Sequence, residues 1–87
     1  MKLTKITEGD IKEGDLISFT EPHTFSDEKG ENFTVDKDTG AMVEKVDNGI
    51  ITLIVYKGCE IITRTTIKQL EAIAEKIVFE KFSPQPL

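Results

Sequence analysis

The sequence is poor in several residue types on which common protein functions depend. Its 87 residues include one cysteine, one histidine and no tryptophan. A single cysteine, Cys59, cannot form an internal disulfide, which excludes a disulfide-stabilised scaffold and favours a cytoplasmic location. No stretch approaches the roughly 20 apolar residues that a membrane-spanning helix needs. The first 15 residues contain no apolar run, so a signal peptide is not expected.

The remaining composition is that of an ordinary globular chain, with 38% hydrophobic and 31% charged residues. The length predicts a single domain over residues 1–87. Residues 83–87, which read SPQPL, are expected to form a flexible tail because two prolines interrupt regular backbone pairing. A domain of this size buries only about 60% of the surface of its unfolded chain, so we expect modest stability.

The net charge of −5 is distributed unevenly along the chain. Residues 8–47 hold 12 of the 16 acidic residues together with four lysines, and this half repels nucleic-acid phosphates. The chain has one arginine, Arg64, although arginine dominates phosphate and guanine recognition. General nucleic-acid binding is therefore disfavoured. The acidic half is either a solvated surface that keeps the protein soluble or a surface directed at a basic patch on a partner.

The first half of the chain predicts short strands and an irregular loop. Residues 11–15 form a turn that leads into a strand at 16–20. Within residues 21–40 we expect a hairpin with arms His23–Ser26 and Asn32–Val35, turning through 27–30. Phe25 and Phe33 either pack against each other across this hairpin or cover one end of the core.

The middle of the chain has the clearest pattern. Residues 41–46 alternate, and Asn48-Gly49 then predicts a tight hairpin turn because both positions favour positive φ. The next strand, Ile50–Tyr56, is apolar on nearly both faces and is expected to be a central strand covered on both sides. After a turn at 57–58, residues 60–65 return as a fourth strand.

An amphipathic helix is predicted after this meander. Thr66 is the expected N-cap, with Gln69 three residues later as in a capping box. One arc of the helix holds the apolar residues Ile67, Leu70, Ile73, Ala74, Ile77 and Val78. Phe79 and Phe82 leave this arc, so we expect the helix to end near residue 76 and residues 76–82 to form the last strand.

Three segments carry a family resemblance: IKEGDLISF at 11–19, GAMVEKVDNGIITLIVYKG at 40–58 and EIITRTTIKQL at 60–70. Their order resembles the small β-barrel of the Src-homology-3 type found in KOW and Tudor modules. The resemblance implies a mainly β fold, a five-stranded SH3-like barrel with a long first loop and one amphipathic helix before the last strand. KOW and Tudor sites need basic residues or an aromatic cage, and this chain departs from both, so neither ligand carries over.

The candidate constellations for chemistry do not meet the requirements of known sites. Asp36, Asp38 and Gly40 suggest a calcium loop, but the positions for the required glycine and glutamate hold Ala41 and Asp47. A nucleophilic pair of Cys59 and His23 can be drawn, but the sequence offers no oxyanion-hole loop beside it. We therefore expect neither a metal site nor a cofactor nor enzymatic activity.

The resulting hypothesis is a non-enzymatic protein-interaction module. The acidic surface would bind and inhibit a host protein, as small accessory proteins of phages and mobile elements do. A second copy could also join along an open sheet edge through Ile61, Ile62 and the C-terminal strand, giving a homodimer. The predicted partner-binding residues are Phe25, Asp27, Glu28, Glu31, Phe33, Asp36 and Asp38.

The alternative hypothesis is a small barrel that binds RNA or DNA on the less acidic half of the chain. Its surface would combine an aromatic ring that stacks on bases with basic residues that contact phosphates. The predicted residues are Tyr56, Lys57, Arg64 and Lys68. Neither hypothesis involves a membrane.

Overall fold

The computed structural model describes residues 2–79, and the fold of this part is mainly β, as predicted. It contains eight strands and one short helix. The strands are β1 Lys2–Lys5, β2 Leu16–Phe19, β3 His23–Ser26, β4 Asn32–Val35, β5 Gly40–Asp47, β6 Ile50–Tyr56, β7 Glu60–Thr66 and β8 Ala74–Val78, and the helix α1 is Ile67–Ile73. The predicted tail at 83–87 lies outside the described residues.

Six strands form one antiparallel sheet in the order β1-β8-β2-β5-β6-β7, and β3 and β4 form a separate hairpin. The prediction of a five-stranded barrel is wrong, because the described part has eight strands and its sheet is not closed into a barrel. At one edge β1 pairs with β8 and extends the sheet. At the other edge the hairpin meets β7 through one bridge, between Asp27 and Thr63.

The two predicted hairpins are confirmed. The arms His23–Ser26 and Asn32–Val35 pair directly, with Phe25 opposite Phe33. In the turn between β5 and β6, Asn48 and Gly49 have φ values of 49° and 81°. Both residues therefore adopt the left-handed conformation that this tight turn requires.

The helix begins as predicted but ends earlier. Thr66 is its N-cap, and its hydroxyl accepts a hydrogen bond from the Gln69 backbone N–H at 3.2 Å. The helix stops at Ile73, three residues before the predicted end, and the last strand is Ala74–Val78 rather than 76–82. The reason is that residues 74–78 pair with β1 on one side and with β2 on the other. The backbone hydrogen bonds to these two strands take the place of those that one more helical turn would form. Phe82 lies outside the described residues.

The core lies on one face of the sheet. The side chains of Ile17, Val43 and Leu53 are fully buried on this face, and α1 contributes Leu70 and Ile73 to the same cluster. The prediction that β6 is covered on both sides is wrong. Its core-facing residues are fully buried, whereas Ile50 and Tyr56 on the opposite face are 45% and 44% exposed.

Candidate functional site

The tip of the β3–β4 hairpin is held in a fixed conformation by Asp27. Its Oδ1 accepts hydrogen bonds from the backbone N–H groups of Lys29 at 2.8 Å and Glu31 at 2.9 Å. Its own N–H donates to the Glu31 carbonyl oxygen at 2.8 Å. An aspartate that bonds backbone groups two and four residues ahead stabilises a turn. The exposed side chains of Glu28 and Glu31 are therefore presented from an ordered tip.

Two further interactions fasten the hairpin to the sheet. The hydroxyl of Thr63, which is only 2% exposed, donates a hydrogen bond to the Ser26 carbonyl oxygen at 2.6 Å. The Lys57 ammonium group at the β6–β7 turn donates to the Thr34 carbonyl oxygen. The hairpin tip is thus held beside β7.

The aromatic residues of the hairpin belong mainly to the core. The rings of Phe25 and Phe33 lie 6.0 Å apart across the hairpin, and the Phe25 ring lies 5.6 Å from that of Phe19. Phe25 is 7% exposed, and Phe33 is half-buried against the core cluster. Phe25 therefore has little surface to offer a partner, and its placement supports the hairpin instead.

An acidic cleft of about 340 Å³ lies between the hairpin tip and β7. Asp27, Glu28, Glu31 and Glu60 supply four carboxylates to its lining, and Lys29 supplies one ammonium group. Cys59, Ile61 and Ile62 complete the lining. The sequence predicted the first three acids as partner-binding residues but did not place the four lining residues on or next to β7 with them, although it named Ile61 and Ile62 as part of a possible homodimer edge. Only the tertiary contact between hairpin and sheet reveals these four.

Asp36 and Asp38, which were also predicted as partner-binding residues, lie in the turn between β4 and β5 at the far end of the hairpin. The Asp36 backbone N–H donates to the Thr39 hydroxyl at 3.1 Å, and the Asp38 N–H donates to the Phe19 carbonyl oxygen at 2.8 Å. Neither residue lines the acidic cleft. The predicted acidic surface is therefore divided between two places.

The four residues predicted for nucleic-acid binding do not form one surface. Tyr56 and Arg64 both lie on the sheet face opposite the core. Tyr56 is paired with Glu60, which lies four residues before Arg64 on β7, so the two side chains are not adjacent. Lys57 is turned toward the hairpin, where it bonds Thr34. Lys68 is exposed on α1, which packs on the core side of the sheet. The nucleic-acid hypothesis stays a prediction, and no shared geometry supports it.

Cys59 and His23 lie in different clefts. Cys59 is exposed in the acidic cleft, whereas His23 lines a second cleft near α1, where its Nε2 is 3.3 Å from the Gln69 side-chain nitrogen. The His23 ring also packs edge-on against that of Phe25, with centroids 4.6 Å apart. The structure thus does not assemble the nucleophilic pair. Within residues 2–79, no group of three metal-ligating side chains could hold a metal ion.

No helix within the described range combines the length and apolar character needed to cross a membrane. Comparison of the chain with protein-family models, with curated proteins and with solved structures finds no match. A functional assignment for this chain therefore depends on the geometry of its surfaces.

Proposed function

We propose that this chain is a non-enzymatic protein-interaction module that binds a basic, extended segment of a partner protein in the acidic cleft. The observation that carries this proposal is that the four carboxylates line the same cleft as Ile61 and Ile62 of the edge strand β7. The cleft thus offers charge, apolar contact and a sheet edge in one place.

The net negative charge of the cleft favours a positively charged partner. Three of its carboxylates come from the hairpin tip and one from Glu60, and Lys29 offsets only one of them. Clustered charges of one sign attract an oppositely charged segment and accelerate its association. At physiological ionic strength the screening length is about 8 Å, so this attraction acts mainly at short range. Lysine or arginine side chains are the expected contacts.

The backbone beside the cleft favours an extended partner. On one side β7 pairs with β6 along its whole length, and on the other it meets the hairpin through the single bridge at Thr63. An edge strand with unpaired backbone groups can accept a strand from another chain. The aliphatic stems of lysine and arginine can then pack on Ile61 and Ile62 while their charged ends reach the carboxylates.

We also propose an open relative of the Src-homology-3-like fold as the scaffold. The spatial order β8-β2-β5-β6-β7 supports this proposal. In sequence, the β3–β4 hairpin is inserted between β2 and β5, and α1 directly precedes β8. The wider predictions, namely a cytoplasmic accessory protein of a phage or mobile element and inhibition of a host protein by steric block, stay predictions.

A peptide titration tests the binding proposal. The probe is a synthetic peptide of alternating lysine and valine, compared with its glutamate–valine counterpart, and binding is followed by nuclear magnetic resonance at low and high salt. We expect the lysine peptide to shift the amide resonances of residues 27–31 and 59–62 and to bind more weakly at high salt. The glutamate peptide should not bind.

Two charge-reversed variants separate the cleft from the overall charge. The double variant Glu28→Lys/Glu31→Lys should lower the affinity for the lysine peptide by about tenfold or more. Glu8→Lys/Glu13→Lys is the matched control, because it changes the net charge equally at exposed positions outside the cleft. Equal losses in the two variants, or equal binding of the two peptides, would contradict a specific acidic site.

A further inference from the structure

The sheet face that points away from the core carries a continuous row of apolar side chains. The row contains one residue from each strand of the six-stranded sheet, each directly opposite the next in register: Leu3, Ile77, Leu16, Met42, Ile54 and Ile62. At about 4.8 Å per strand, the row extends over about 24 Å. An apolar row that crosses a whole sheet is typical of a face that packs against another surface.

The described elements that cover the sheet all lie on its other face. Side chains adjacent in sequence to the row, such as Ile17, Val55 and Ile61, point into or pack against the core cluster, to which α1 and the hairpin also contribute. The row itself is half-buried, except for Leu3, which is 45% exposed. Ile50 and Tyr56 are also strongly exposed on this face. Within residues 2–79, the face is therefore available to a partner.

The charges beside the row favour a second copy of this chain as that partner. On β7, Glu60 and Arg64 lie two residues before and two residues after Ile62 and point to the same face. They are about 13 Å apart along the strand, too far to pair within one chain. A two-fold axis along the row places Ile62 against its own copy. The same axis places Glu60 of each copy opposite Arg64 of the other.

We propose that two copies of this chain pack through this face about a two-fold axis that runs along the apolar row. Such an interface is self-complementary, as two-fold symmetry requires. The two Glu60–Arg64 pairs fix the orientation, and the apolar row supplies most of the attraction. Because the apolar row is only about 24 Å long, we expect weak association, with a dissociation constant in the micromolar range.

Sedimentation velocity on the full chain, over about 5 to 500 µM, tests this proposal. The sedimenting mass should rise with concentration from that of one chain, 9.7 kDa, toward twice that value. Ile54→Lys places two like charges against each other at the axis and should keep the protein monomeric. Ala72→Lys, which adds the same charge at an exposed position on α1, is the matched control and should dimerise normally. Circular dichroism establishes that both variants are folded.

Charge reversal on β7 tests the orientation. Arg64→Glu alone and Glu60→Arg alone each place like charges opposite one another and should weaken the dimer by about tenfold. The double variant Glu60→Arg/Arg64→Glu restores opposite charges in both pairs and should recover most of the affinity. A wild-type chain that stays monomeric, an Ile54→Lys variant that still dimerises, or a double variant as weak as the single ones would overturn the proposal. Ile54 lies outside the acidic cleft, so Ile54→Lys should still bind the lysine peptide, which distinguishes failure of the dimer from failure of the cleft.

Discussion

The substitution Thr63→Val tests how the acidic hairpin is attached to the sheet. Valine keeps nearly the shape of threonine but removes the hydroxyl, which donates at 2.6 Å to the Ser26 carbonyl oxygen from a side chain that is 2% exposed. A hydrogen bond of this kind contributes about 0.5–1.5 kcal/mol net. We therefore expect a loss of about 1 kcal/mol in the free energy of unfolding. In a domain of this size, that loss lowers the melting temperature by roughly 4–8 °C.

The matched control for this prediction is Thr65→Val. Thr65 lies two residues further along β7, points to the same face and is 9% exposed, yet its hydroxyl makes no hydrogen bond within the described residues. Urea unfolding of both variants, followed by circular dichroism, should show a clear loss for Thr63→Val and a change within about 0.5 kcal/mol for Thr65→Val. Hydrogen exchange of the β3 amides should accelerate only in Thr63→Val. Equal effects of the two substitutions would refute the role assigned to the Thr63 hydroxyl.

Three further predictions concern the fold, and urea unfolding measures each of them. Phe19→Ala removes a ring that is 1% exposed and should cost about 3–5 kcal/mol, whereas an unchanged midpoint would contradict its place in the core. Gly49→Ala forces alanine to φ of about 81° and should cost about 1 kcal/mol or more, unlike Gly40→Ala, where φ is not positive. Thr66→Ala removes the N-cap of α1 and should cost about 1 kcal/mol, and no loss would show that the cap contributes nothing.

The sequence predicts those parts of the fold that depend on short-range signals. Asn48-Gly49 determines its turn because few other residue pairs tolerate two positive φ values. The hairpin arms at 23–26 and 32–35 could be placed because a polar turn with Gly30 separates two alternating segments. The N-cap at Thr66 is likewise a local hydrogen bond. Each of these features is stabilised by residues only a few positions apart.

Features that depend on distant pairing could not be predicted in this way. Strand β1, Lys2–Lys5, contains one large apolar residue, Leu3, and therefore shows no alternating pattern. It becomes a strand because β8 offers it a complete ladder. The same pairing ends α1 at Ile73, although the apolar arc continues through Ile77 and Val78. The helical periodicity of residues 67–78 cannot reveal that β1 and β2 pair with the last five of these residues as a strand.

The acidic cleft shows the same division between local and distant information. The tip acids could be recognised from sequence because an acidic turn with Gly30 is a local pattern. Glu60 joins them only through tertiary contacts between β7 and the hairpin, among them the Thr63–Ser26 hydrogen bond between residues 37 positions apart in sequence. The apolar row is hidden for a similar reason. Its members come from six strands, and only their register places them side by side.

Strand β7 links the two proposed binding surfaces. Ile62 and Glu60 line the acidic cleft and also belong to the face proposed for dimerisation. If both surfaces are used, a peptide in the cleft and a second copy on the face compete for the same two side chains. By thermodynamic reciprocity, the peptide must then weaken the dimer by the same factor by which dimerisation weakens peptide binding. A module of this kind would exist as a weak dimer when free and release a monomer to its partner.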